Sequence, residues 1–324
     1  MSGTALNSSS MTGQKTERIN WHVLGAGAIG CLFAAKFSAS NIAVSLLLRS
    51  DTALNLLEEC GGITLHSQGE TQTLALAATT CAEPGGTIAR LLVTTKAHQA
   101  VNAVASVAHR LSSESIIVLL HNGMGVYEEV RRCHPHLNIV CAVTTEAAYQ
   151  QNKFEIMHAG SGLSSFGKLE GTCSESFLDD FRSAGFTVQW DENIEWRLWH
   201  KLAINCCINP LTALHNCRNG ALLDGGEREE MLGLLCVEVA AVLEALGFQI
   251  DTEKLRGEVR AVALSTSENQ SSMLQDVLRG TQTEVDFING HLLATAGKLG
   301  LHCPYNQAVW KKLKKRELQT SQNS

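Results

Sequence analysis

At 324 residues, with 44% hydrophobic and 18% charged side chains, the chain is long enough for two domains and apolar enough to give each a core. A formal charge of −6 excludes a general nucleic-acid binder, whose domains are basic, so any anion must be met by a few local cations. Eleven cysteines without a C-x-x-C pair do not have the spacing of a disulfide framework or zinc site; they read as small buried hydrophobes, and no metal is expected.

Residues 1–18, MSGTALNSSSMTGQKTER, are rich in Ser, Thr and Gly and lack the apolar stretch of a secretory signal, so they read as a disordered leader. No apolar run is long enough to cross a bilayer; no membrane partner is expected, and a cytoplasmic enzyme is the default. INWHVLGAGAIGCLFAAKFSAS (19–40) gives a strand, a glycine-rich turn and a helix, and AVSLLLR (43–49) a second strand. LLVTTKAHQAVNAVASVAHRL (91–111) is a strand running into an amphipathic helix, SIIVLLHNGMG (115–125) a strand ending in a polar turn, and NIVCAVTTEAAY (138–149) one more strand. Apolar strands alternating with helices predict an α/β domain with a doubly wound parallel sheet. Beyond about residue 190, RLWHKLAINCCINPLTALHN, REEMLGLLCVEVAAVLEALG and TEVDFINGHLLATAGKLG carry helical periodicity and predict an all-helical second domain. The expected division is a leader at 1–18, a dinucleotide-binding domain at 19–191, a helical catalytic domain at 192–318 and a tail at 319–324. The basic run KKLKKRE (311–317) reads as a solvated final helical turn, and HPH (134–136) as a surface turn.

Gly25-Ala26-Gly27-Ala28-Ile29-Gly30 matches G-x-G-x-x-G between a strand and a helix, the context that makes the pattern informative. Gly25 permits the tight turn, Gly27 lets a pyrophosphate approach the backbone, and Gly30 allows close helix–strand packing. Arg49 stands at the end of the second strand, where an NAD-binding domain carries an acid for the ribose 2′-OH; a cation there suits a 2′-phosphate, so NADPH (NADP+) is the expected cofactor. Lys96 and Asn122 both lie just past strand ends, on the sheet edge where open α/β folds bind ligands. His121 beside Asn122 reads as structural.

EWRLWHKLAINCCINPLTAL (195–214) is mostly apolar, yet sets Lys201, Asn205 and Asn209 within an arc of about 80° on one helical face. A buried ammonium and two buried amides need partners, so they form either ties to neighbouring loops or a polar stripe lining a cleft. In a cleft, the ammonium can protonate a carbonyl oxygen while the amides hold a hydroxyl or carboxylate. Pro210 predicts a kink or an end of the helix. Asn269, Ser271 and Ser272 open a further helix suited to gripping a carboxylate, and Glu284 or Asp286 is available to balance Lys201.

Through VLGAGAIG, LLVTTKAHQ, HNGMG, LWHKLAINCCINPLTAL, SSMLQD and TEVDFINGHL, the sequence resembles the ketopantoate reductase (2-dehydropantoate 2-reductase) family from about residue 19 to 305. The resemblance implies an N-terminal Rossmann domain, a helical C-terminal domain like that of 6-phosphogluconate dehydrogenase, and an active site in the cleft. It implies NADPH-dependent reduction of 2-dehydropantoate to pantoate for pantothenate synthesis, by a monomer or homodimer. Lys201 would be the general acid, with Glu284 beside it and the nicotinamide. Asn122, Asn205, Asn209, Asn219 and the segment Ser272, Met273, Leu274, Gln275 would line the substrate pocket. The glycine loop, Arg49, Lys96, Asn122, Ala148 and Glu284 would serve the cofactor. The family often has His or a small residue where this chain has Glu146. Two alternatives are a reductase of another branched 2-keto acid and a non-catalytic dinucleotide sensor.

Overall fold

The structure, a computed structural model, describes residues 20–322; the expected leader at 1–18 and the last two tail residues lie outside them. The first half runs β1 (Trp21–Leu24), α1 (Ala28–Ala39), β2 (Val44–Leu48), α2 (Asp51–Glu59), β3 (Ile63–Ser67), β4 (Glu70–Leu74), β5 (Ala77–Thr80), β6 (Arg90–Val93) and α3 (Ala97–Val107). It continues with β7 (Ile116–Leu120), α4 (Val126–Cys133), β8 (Asn138–Thr144), β9 (Ala147–Asn152), β10 (Glu155–Gly160), β11 (Leu163–Gly167), α5 (Leu178–Ser183) and β12 (Thr187–Trp190). Eight strands form one sheet in the order β12-β11-β8-β7-β6-β1-β2-β5. Chain order reverses between β1 and β6, which opens the crevice at their C-terminal ends. The sheet is parallel from β5 to β8, as the apolar strands predict. At β11 it reverses: β11 pairs antiparallel with β8, and β12 follows β11.

A second sheet, β4-β3-β10-β9, covers α1 and has no counterpart in the sequence reading. The single strand expected over 138–149 is two strands in different sheets. Thr144 Oγ1 accepts the Glu146 N–H at 3.1 Å, turning the backbone after β8. Glu146 then turns inward, accepting the Gly162 N–H at 3.0 Å and lying 2.6 Å from His158 Nε2. Beneath the main sheet, Trp21, Phe33, Phe37, Phe166, Phe177 and Phe181 make a buried aromatic core, and Trp21 Nε1 donates to Asp180 at 2.7 Å.

After β12 no described residue is in a strand. The helices are α6 (Ile194–His215), α7 (Glu227–Ala245), α8 (Thr252–Ser265), α9 (Ser272–Leu278), α10 (His291–Lys298) and α11 (Pro304–Gln322), with one π turn at Asp286–Gly290. Residues 319–322, expected in the tail, extend α11. The basic run lies on this helix, where Lys314 pairs with Asp286 and Glu317. Helix α6 is the axle of this half, packed by α7, α8, α9 and α11. It does not end at Pro210 but runs on to His215, where Asn216 in the left-handed conformation (φ 48°) closes it.

Candidate active site

The glycine loop joins β1 to α1 at the crevice. Gly25 (φ 115°) is pressed against the end of β6: a Cβ there would lie 2.6 Å from Thr95 N, and one on Gly30 would lie 2.0 Å from Gly25 O. Gly27, the N-cap of α1, has only Thr94 O within 4.0 Å of such a Cβ, so the open side of the loop faces the helix N-terminus. That is the cradle an anionic pyrophosphate requires, with Ala26, Ala28 and Ile29 partly buried around it. Ala26 O is held from the second sheet by Gln150 Nε2 at 3.0 Å and Lys153 Nζ at 3.3 Å. Gln150 O in turn accepts Arg279 from the end of α9 at 2.9 Å. Arg49 is exposed just past β2 and pairs with no described acid. Ala148 sits partly buried in β9, two residues before Gln150.

Glu284, buried at 3% exposure, comes from the helical half but is bound by the other. Its Oε1 accepts the Ala97 N–H at the start of α3 (2.9 Å); its Oε2 lies 3.4 Å from Asn122 Nδ2 and 3.5 Å from Lys96 Nζ. The neighbouring Met124 N–H donates to Phe287 O at 2.9 Å, so the HNGMG turn and the 284–287 segment are laced together. Lys96 also pairs with Asp276 of α9 at 2.7 Å. Burial alone would lower the Lys96 pKa, but the two carboxylates outweigh it and hold the ammonium above its usual range. Burial pushes Asp276 up, against the opposing pull of Lys96. His121 is enclosed beside Asn122 with no partner at Nε2, and burial brings its pKa down to about 4.

On α6, Lys201 Nζ donates to the carbonyl of Thr144 at the end of β8, 3.0 Å away. Burial lowers its pKa to about 8, while Glu284 acts in the raising direction without a direct ion pair. Asn205 and Asn209 share its face, and neither side-chain amide bonds to a described residue. The same face ends at Thr212, whose hydroxyl bonds to Asn209 O (2.9 Å) and Ser271 Oγ (2.7 Å), while Ser271 Oγ caps α9 by accepting the Leu274 N–H. The stripe is therefore tied to the large sheet at one end and to α9 at the other.

The other expected positions divide. Ser272 and Gln275 are partly buried on α9; Met273 and Leu274 turn into the core at 1% exposure, leaving only their backbone for a ligand. Asn219 is buried, with Nδ2 donating to Thr266 Oγ1 at 2.8 Å and Oδ1 unpartnered. Asn269 is exposed, and its carbonyl accepts the Asn219 N–H at 3.0 Å. Asp286 binds Trp310 and Lys314 of α11 instead of Lys201. Nothing in the local sequence marks Asp276, Thr144 or Arg279 as part of the site. Asp276 lies within SSMLQD, but its pairing with Lys96 crosses 180 positions and leaves no local pattern.

Two family models match, ketopantoate reductase PanE/ApbA over residues 21–171 and its C-terminal domain over 193–317. The 2-dehydropantoate 2-reductase of Vibrio cholerae is 34% identical over 303 residues, covering 92% of this chain and 98% of that one. This chain belongs to the ketopantoate reductase family. The Shigella flexneri 2-dehydropantoate 2-reductase is 37% identical over 300 residues, 91% of this chain and 94% of its own. Among solved structures, a PanE/ApbA family ketopantoate reductase from Ralstonia eutropha superposes with a TM-score of 0.84 at 23% identity, covering 93% and 99%. A D-mandelate dehydrogenase with NADH and anilino(oxo)acetate superposes at 0.87 and 19% identity, also covering 93% and 99%. These two likenesses establish the fold. The ketopantoate reductase architecture, a Rossmann half followed by a helical half, is the one described above.

Proposed function

We propose that the chain reduces 2-dehydropantoate to pantoate with NADPH, Lys201 acting as general acid. The observation that carries this reading is Lys201 itself: an ammonium fixed to Thr144 O at 3.0 Å, its pKa brought to about 8 by burial, on the same face as two unpartnered amides. A general acid works best when its pKa lies near the working pH, and an ordinary lysine is too weak. Lys201 holds its proton at Nζ and gives it to the C2 oxygen as that oxygen gains charge. Asn205 and Asn209 orient the substrate by donating to its carboxylate or hydroxyl, and Ser272 and Gln275 close the pocket from α9. The partly buried setting strengthens the interaction between the ammonium and the developing oxyanion.

The glycine loop would hold the pyrophosphate against α1, and Arg49 would pair with the 2′-phosphate. The dinucleotide, when bound, supplies the hydride. Asn122 and Glu284 stand between that crevice and α6, where both ligands would meet. The test is oxidation of NADPH by purified protein across a panel of branched 2-keto acids. The highest kcat/KM is expected for 2-dehydropantoate; a higher value for another keto acid reassigns the substrate, and no turnover with any of them favours a dinucleotide sensor.

A further inference from the structure

Pro210 has no N–H to give to the carbonyl of Cys206, four residues earlier in α6. Cys206 is fully buried, and an unpartnered carbonyl there is costly. Asn289 supplies the missing donor. Fully buried in the π turn, its Nδ2 donates to Cys206 O at 3.1 Å and to Asn306 Oδ1 at 3.0 Å. The direction of this amide is dictated from its far side. Glu238, buried on α7, accepts the N–H groups of Tyr305 and Asn306 and the Nδ2 of Asn306, each at 2.8 Å. With Nδ2 so committed, Asn306 turns its oxygen to Asn289, and that oxygen needs a donor. Reversing the Asn289 amide would set its oxygen against two acceptors. As it stands, both N–H groups are used and only Oδ1 lacks a partner.

The turn left open by the proline is the one that carries the two candidate substrate amides: Asn205 precedes Cys206, and Asn209 precedes Pro210. We propose that Asn289 is a positioning residue, fixing through Cys206 O the pitch of α6 between Asn205 and Asn209. The π turn, closed by Gly290 N–H to Val285 O at 2.9 Å, starts directly after the Glu284–Val285 pair, so one short segment positions both the seam carboxylate and the substrate wall. The proposal rests on the reading that these amides face the keto acid.

The test is a double-mutant cycle on Asn289→Leu and Pro210→Ala, assayed with whichever keto acid the wild-type chain reduces best. Losing the donor in Asn289→Leu is expected to raise the keto-acid KM roughly tenfold, leaving the NADPH KM and the alkaline pH limb of kcat unchanged, because Lys201 is anchored separately to Thr144. Pro210→Ala restores a helical N–H to Cys206 O, so the double variant should recover most of the lost KM. An unchanged KM in Asn289→Leu, an equal loss in both backgrounds, or a loss shared with NADPH overturns the proposal. If Asn289→Leu does not fold, the double variant decides: folding with near-wild-type KM supports the coupling, and failure to fold refutes it. A wild type that prefers another keto acid changes the substrate, not the coupling. If none is reduced, the reductase reading falls, and the unfolding midpoints of the same variants still show whether Pro210→Ala offsets Asn289→Leu.

Discussion

The backbone N–H of Ala97 donates to Glu284 Oε1 at 2.9 Å, across 187 positions of sequence and from one half of the molecule to the other. Ala97 is the first residue of α3, so the carboxylate sits where a helix N-terminus offers unpaired N–H groups and positive potential. The same carboxylate meets Lys96 and Asn122 and acts on Lys201 from beyond ion-pair distance. Glu284 thus fastens the seam and sets the field around the candidate acid.

With Lys201 as the proposed general acid, reduction would need its ammonium. With its pKa brought to about 8 by burial, kcat for keto-acid reduction should fall as pH rises through about 8, while oxidation of the hydroxy acid, which needs the free amine, should rise over the same range. Lys201→Ala should lower kcat by about 10²–10⁴-fold while NADPH still binds. Steady-state profiles in both directions and a fluorescence titration of NADPH check this; near-wild-type turnover in the variant would remove Lys201 from the role.

The same lysine should cost stability. A pKa lowered from 10.5 to about 8 penalises the folded state wherever the ammonium persists, by at most about 3 kcal/mol. The penalty is complete below about pH 8 and is relieved as pH rises toward 10.5. Lys201→Met is therefore expected to raise the urea midpoint at pH 7 and to lose most of that gain by pH 10. A gain that did not depend on pH would point to packing instead.

Arg49→Ala should weaken NADPH binding by roughly tenfold or more and leave NADH nearly unchanged, since a charge-assisted bond to a 2′-phosphate is worth about 1.5–3 kcal/mol. Equal losses for the two dinucleotides in a binding titration would reject the 2′-phosphate assignment.

Within the glycine loop, two alanine substitutions should part company. Gly30→Ala sets a Cβ against Gly25 O and Thr94 Oγ1, and should lower thermal stability by an amount typical of core overpacking, about 1–3 kcal/mol. Gly27→Ala meets nothing closer than 4.0 Å and should leave the unfolding midpoint nearly unchanged while weakening dinucleotide binding. Melting curves with and without NADPH separate the two.

The sequence made legible whatever rests on short-range pattern. The glycine motif between strand and helix, the parallel strands β1, β2, β6, β7 and β8 and the stripe from Lys201 to Asn209 all follow from spacing along one element. The second sheet does not: β4 (ETQTL) is exposed at four of its five positions, so it lacks the alternation that marks a half-buried strand. The reversal at β11 depends on pairing with β8, which no local signal encodes. The expected balance between Lys201 and a carboxylate took a less direct form, because Glu284 is committed to Lys96 and the α3 N-terminus. Asn289 shows the same limit from another side: Pro210 announces a missing donor, but only the fold tells which side chain replaces it.

The path from Arg279 through Gln150 to Ala26 joins the last turn of α9 to the glycine loop by two hydrogen bonds. Its consequence is thermodynamic. A ligand that immobilised the loop would also restrict the helix bearing Ser272 and Gln275, so a second ligand at those proposed substrate residues would find part of its ordering entropy already spent. Linkage would make the advantage mutual: each ligand is expected to tighten the other by the same factor, and cutting the path with Arg279→Ala should bring that factor toward unity in calorimetric titrations.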